Sequence, residues 1–159
     1  FASAMGIRAD ELFPAVSPVG YPAARPRAAE ALMRSAMKSS ARRDWPELFF
    51  SGDLRAPLTR SAAGDYALPL EMLRLAPSAK NGQPWRVRLA GGAFHFYTAY
   101  KPGAAKGEAV IKHVDLGIGL SHFHQTALEL GLSGRFAELP QNDIALPEEL
   151  HYAVSWLPA

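Results

Sequence analysis

The chain contains no cysteine, which excludes disulfides, thiolate metal ligands and cysteine nucleophiles, and leaves any redox chemistry to a bound cofactor. That composition fits a reducing compartment, and the expected location is the cytoplasm. Long apolar runs are lacking too. The most apolar helical stretch, Val114 to Leu132, is broken by Asp115, His122, His124, Gln125 and Glu129, so nothing approaches the roughly 20 apolar residues of a membrane span. Charge of one sign is scarce: 17 Lys and Arg face 15 Asp and Glu, too even a balance for a nucleic-acid footprint. Neither a membrane nor a nucleic acid is therefore expected as a partner. The chain opens on Phe1 with no signal-peptide pattern, and that start reads as a cut rather than a beginning.

What is present suffices for one core. The 159 residues are 48% hydrophobic and 20% charged, within the range of globular domains. Residues Glu11 to Val19 are apolar but hold Pro14 and Pro18, the mark of an edge or terminal strand. Good helix formers run from Arg27 to Lys38, with Ala28, Leu32 and Ala36 on one face. Asp44 and Pro46 suggest the start of a short helix over Trp45 to Phe50, and Ser51 to Gly64 reads as a connector. A second short helix is expected from Pro69 to Leu75, with Leu68, Met72 and Leu75 on one side.

Trp85 to Leu89 alternates strictly and Phe94 to Thr98 nearly so, with Gly91 and Gly92 between them, a hairpin pattern. Lys101 to Lys112 is mostly polar. Asp115 is then read as the cap of a helix carrying Leu116, Leu120, Phe123, Ala127 and Leu130 at intervals of four and three, closed by Gly131. His151 to Trp156 reads as a final strand.

Between the second short helix and the hairpin lies Ala76-Pro-Ser-Ala-Lys-Asn-Gly-Gln-Pro-Trp85. It gathers a hydroxyl, an ammonium and two side-chain amides within ten residues. Ser78, Asn81 and Gln83 supply both donors and acceptors, the set a planar heterocycle needs, while Pro77 and Pro84 stiffen the ends. An ordinary capped loop is the other reading of the same residues.

This loop resembles the Ala-Pro-Ser-x-x-Asn-x-Gln-Pro-Trp signature of the nitroreductase-like flavoproteins. The likeness extends to Ser17-Pro-Val-Gly-Tyr-Pro22, Arg43-Asp-Trp-Pro-Glu-Leu-Phe-Phe50, Pro69-Leu-Glu-Met-Leu-Arg74, Phe94-His-Phe-Tyr97 and Val114-Asp-Leu-Gly-Ile-Gly-Leu-Ser-His-Phe123, which are similar to a branch in which two half-domains are fused. The resemblance implies an α+β fold, a mainly antiparallel sheet flanked by helices. It implies FMN held between two halves of a dimer or pseudo-dimer, with hydride passing from NAD(P)H to nitroaromatics, quinones or related small-molecule acceptors. Pro77, Ser78, Ala79, Asn81 and Gln83 would face the flavin and its ribityl chain. No catalytic acid or base is implied.

One departure stands out. The family's Arg-x-Ser-x-Arg phosphate grip has no counterpart, since Arg34-Ser-Ala-Met-Lys38 and Arg42-Arg43 do not fit its spacing. Residues 1 to 22 resemble the end of a preceding half and 23 to 159 a carboxyl-terminal half, so the expected partner is an amino-terminal half outside this sequence or a second subunit. Arg74 and Lys80 are the cations placed to neutralise a phosphate or reduced ring, although such helix-end cations are commonly solvated. The same departure leaves open a catalytically silent scaffold of the same fold, kept for ligand binding or subunit assembly. The five histidines suggest no metal: His122 and His124 diverge on a helix.

Overall fold

The computed structural model describes residues 6–8, 10, 19–21, 32, 35, 36, 40–141 and 144–159. The chain divides into two units, Phe1–Met33 and Arg34–Ala159. In the first, Gly6 turns with φ +67° and Arg8 pairs with Asp10 at 3.2 Å on the surface. The strand expected over Glu11 to Val19 lies outside the described residues apart from Val19, which is exposed and not in a strand. Of the helix expected from Arg27 to Lys38, Leu32, Ser35 and Ala36 are described, and they are helical and exposed.

The second unit is α+β. Its elements are β1 (Phe49–Ser51), α1 (Arg60–Ala63), α2 (Ala67–Leu75), β2 (Trp85–Ala90), β3 (Ala93–Ala99), α3 (Lys106–Glu129), β4 (Gly134–Ala137) and β5 (Leu150–Pro158). The sheet order is β1-β2-β3-β5-β4. Only β1 runs parallel to its neighbour, and the other pairs are antiparallel. The expected hairpin forms β2 and β3, with Gly91 at φ +57° and Gly92 at φ +75°, the two positive values of a two-residue type I′ turn.

Three expectations are corrected here. Trp45–Glu47 is a single 3-10 turn with the capping box between Asp44 and Glu47, after which Phe49 and Phe50 leave as β1 instead of continuing a helix, because backbone pairing with Val87 and Arg88 competes successfully for them. In α2 the buried residues are Pro69, Leu70 and Leu73, whereas Leu68 and Leu75 are 48% and 40% exposed. The core cluster on α3 and β2 selects that face. Finally, α3 begins nine residues before Asp115, so Asp115 is a buried mid-helix carboxyl and not a cap. The far end of α3 does close at Gly131 as expected: Gly131 N–H donates to Leu128 O and Leu132 N–H to Ala127 O, both at 2.9 Å, a Schellman closure.

The core sits between one face of the sheet and the α2–α3 pair. Trp85, Val87, Phe94, Phe96 and Trp156 meet Leu73, Leu116 and Phe123 there. Gly119 marks the close approach, since a Cβ at that position would lie 3.4 Å from Leu73 Cγ and from Trp85 Cε3. Among the described residues no helix is long and apolar enough to cross a membrane.

Candidate functional site

The loop from Ala76 to Pro84 leaves the end of α2 and enters β2 at Trp85. Its backbone is unusual: Lys80, Asn81 and Gln83 hold φ of +52°, +53° and +45°, while Gly82, the residue freest to do so, keeps φ −70°. Left-handed backbone costs a non-glycine residue roughly 1 kcal/mol or more, so three such residues persist only where surrounding bonds fix them.

Those bonds are specific. Ser78 Oγ accepts the Gln83 N–H at 2.9 Å, closing the loop on itself. Ala79 N–H donates to Asp115 Oδ1 at 2.8 Å, tying the loop to α3. Asn81 Nδ2 donates to Ala41 O at 3.0 Å, and the Arg43 N–H donates to Gln83 Oε1 at 2.8 Å. Residues 41 to 43 thus clasp the loop from outside. Asn81 and Gln83, expected to face a ligand, spend much of their side-chain hydrogen bonding on this clasp, and Gln83 is only 4% exposed. Pro77 and Ala79 are exposed and Ser78 is half-buried. The N–H groups of Ser78 and Lys80 have no partner among the described residues.

Beside the loop, Ala79 and Lys80 share a cleft of about 310 Å³ with Glu108, Ile111 and Lys112 of α3. Two ammonium groups and one carboxylate line it. Lys112 also crowds the loop, because a Cβ on Gly82 would lie 2.6 Å from Lys112 Nζ. Asp115 is 3% exposed, and burial pushes its carboxyl above the usual range, while the Ala79 N–H and Lys112 pull it back. Its Oδ2 is buried with no hydrogen-bond partner among the described residues, as are Trp85 Nε1, Thr98 Oγ1 and His151 Nε2. The last three belong to residues aligned across β2, β3 and β5, so this end of the sheet is polar inside.

Arg74 is committed elsewhere. It donates to Glu71 through Nε at 2.9 Å and Nη2 at 2.6 Å, and to Arg43 O at 3.0 Å. Its hydrogen bond to Glu71 raises its pKa, and the same bond, with help from Arg60, lowers that of Glu71. It therefore braces α2 against the clasp and is not available to a phosphate. Lys80 remains exposed at the cleft.

The structural roles of Asp115, Lys112 and the 41 to 43 clasp were not read from the sequence. A signal existed for the first two. Val110, Ile111 and Val114 continue the helical spacing upstream of Asp115, and Glu108 precedes Lys112 by four, a helical pair.

Two comparisons with known proteins bear on this region. The family model described as "Putative TM nitroreductase" matches residues 62–127, a stretch that includes α2, the loop, the hairpin and nearly all of α3. Over it the chain is nitroreductase-like. A crystal structure of a "putative nitroreductase" from Thermotoga maritima is 24% identical, with a TM-score of 0.46, and the alignment covers 74% of this chain and 42% of that protein. The chain thus spans less than half the length of that solved relative. Among curated proteins there is no match.

Proposed function

We propose that this nitroreductase-like chain contributes the ring-binding part of an FMN-dependent oxidoreductase, in which hydride passes from NAD(P)H to a nitroaromatic, quinone or similar acceptor. The observation that carries the reading is the braced loop beside the cleft. Its unspent Ser78 and Lys80 N–H groups, together with the Lys80 and Lys112 ammonium groups, make a donor set suited to the electron-rich edge of a planar ring. When bound, FMN would supply the hydride chemistry. The chain's own residues bind and orient: Ser78 and Lys80 offer the backbone donors, the exposed Pro77 and Ala79 would lie against the ring beside them, and Asn81 and Gln83 hold the bend in shape through the clasp. Because the loop is fixed before a ligand arrives, little ordering entropy opposes binding.

The fit is to the ring and not to the phosphate. No Arg-x-Ser-x-Arg stretch occurs, and Arg74 is engaged by Glu71. An amino-terminal half or a second subunit would complete the phosphate end. Titrating the chain with FMN and with riboflavin, read by flavin fluorescence, tests this. Both should bind, with affinities within about threefold of each other, under 1 kcal/mol. Failure of both to bind would overturn the reading, and FMN binding more than about tenfold tighter would place a phosphate clamp in this chain.

The internal use of Asn81 and Gln83 favours one alternative, a catalytically silent scaffold of the same fold. Adding FMN, NAD(P)H and a quinone separates the two. A silent scaffold gives no chain-dependent oxidation even with excess flavin, and with either amino-terminal half or second subunit supplied.

A further inference from the structure

Strand β2 sends alternate side chains to opposite faces. Trp85 and Val87 enter the core, which leaves Arg86 and Arg88 on the other side of the sheet. Arg88 is buried and engaged, donating to Gly52 O at 2.9 Å and to the Tyr97 hydroxyl at 3.2 Å.

Arg86 differs. It is half-buried and forms no ion pair among the described residues. Its Nη1 donates to Trp85 O at 2.6 Å and Gln83 O at 3.3 Å, and its Nε and Nη2 have no partner among the described residues. Burial, with the like charge of Arg43 and against the opposing pull of Glu47, lowers its pKa to about 10, so it stays cationic at neutral pH. A partly desolvated guanidinium with unspent donors is a strong anion acceptor.

Arg86 lines a cavity of about 210 Å³ whose other walls are mostly apolar: Phe50, Leu54, Ala99, Pro147 and Leu150, with Glu149 as its acid. That volume lies below the roughly 300–1,000 Å³ of drug-sized sites, so the occupant is small. Apolar walls around one guanidinium suit an anion with an apolar body. A fully hydrated inorganic anion would have to shed water against carbon and sit near Glu149.

We propose that Arg86 anchors a small organic monoanion, a carboxylate on an apolar body, in this cavity, at a site that shares no lining residue with the cleft beside Lys80. The inference does not rest on the flavin reading.

Titrating the chain with benzoate, benzyl alcohol and inorganic phosphate, followed by amide chemical shifts, tests it. Benzoate should bind and move the amides of Arg86 and Leu150, and benzyl alcohol should bind about tenfold more weakly or worse. Phosphate at equal concentration should not displace benzoate. Arg86→Gln should lose about tenfold or more in benzoate affinity, Arg86→Lys should fall between, and the exposed Glu149→Gln should bind a few-fold tighter. Glu149→Gln and Arg86→Lys keep the test decisive should Arg86→Gln not fold. Benzoate binding unchanged by these substitutions, benzyl alcohol binding as well as benzoate, or displacement by phosphate would each overturn the proposal. Flavin titration in saturating benzoate should be unaltered, which keeps the two sites distinguishable.

Discussion

Replacing Gln83 by glutamate keeps the shape of a side chain that is 4% exposed and inverts its hydrogen bonding. In the native loop Oε1 accepts the Arg43 N–H at 2.8 Å, and a carboxylate preserves that bond. Nε2, however, faces oxygens only: Asn81 O and Asn81 Oδ1 at 3.2 Å, and Ala41 O at 3.5 Å. The variant sets a second carboxylate oxygen against these three acceptors and removes the donor they share, although Ala41 O keeps Asn81 Nδ2 at 3.0 Å and Asn81 Oδ1 keeps Arg42 Nη1 at 3.4 Å. Losing the hydrogen bonds of a buried amide and facing an oxygen to acceptors costs about 1–3 kcal/mol, and a partly desolvated charge adds to that. Arg42, with Nη1 3.4 Å from Asn81 Oδ1, is near enough to soften the charge. A loss of about 2–4 kcal/mol at pH 7.5 is expected for Gln83→Glu.

The pH dependence gives the sharper test. Burial and the facing oxygens raise the introduced carboxyl above its unfolded value of about 4.3. The folded state then holds the proton more tightly than the unfolded chain. The penalty is complete above the folded pKa and disappears as pH falls below the unfolded one. Urea unfolding of wild type and variant, followed by tryptophan fluorescence at pH 7.5 and pH 4, should show the loss at the higher pH and most of it recovered at the lower. A variant within about 0.5 kcal/mol of wild type at pH 7.5, or an equal loss at both pH values, would refute the clasp as the element holding the loop.

Two further outcomes follow from the same geometry. Asp115→Asn keeps an oxygen for the Ala79 N–H, removes a carboxyl whose pKa burial has raised, and should be as stable as wild type or more so by about 1 kcal/mol at neutral pH. Wild-type stability should fall as pH rises from the unfolded aspartate value to the raised folded one, and the variant should lack that fall in a pH series of melts. Gly134→Ala should destabilise by about 3 kcal/mol, since its Cβ would lie 2.5 Å from Leu157 O and 2.6 Å from Trp156 Cζ2, and urea unfolding measures it.

Legibility from sequence followed how local each cause is. The hairpin was readable because alternation and a Gly-Gly turn both sit within 15 residues. In α2 the helix was readable but its buried face was not: only Glu71 and Arg74 break a ring of apolar side chains, so packing against α3 makes the choice. The start of α3 was hidden because its N-cap, Ala105, offers no side-chain bond. Strands β1 and β4 are three and four residues long and arise from pairing with β2 and β5, which no local pattern announces. The loop's residues were found by their chemistry, and their geometry was not, because the left-handed positions fall on Lys80, Asn81 and Gln83 and not on Gly82.

That last point bears on what the loop is for. Three left-handed non-glycine residues cost about 3 kcal/mol together. Opposing them are the Asp115 bond to Ala79 and the Ser78, Asn81 and Gln83 bonds, at about 1 kcal/mol each. The balance is favourable by a small margin, and each contribution comes from a different place: α3, the loop itself and the 41 to 43 segment. An ordinary connector would reach β2 without strain by placing glycine at the left-handed positions. Here the strained path keeps the Ser78 and Lys80 N–H groups out of the internal network while Ala79, Asn81 and Gln83 are tied down. A rigid edge with unspent donors has value when something docks against it, and that asymmetry supports a ligand site at the loop, whether the docked molecule reacts there or is only held.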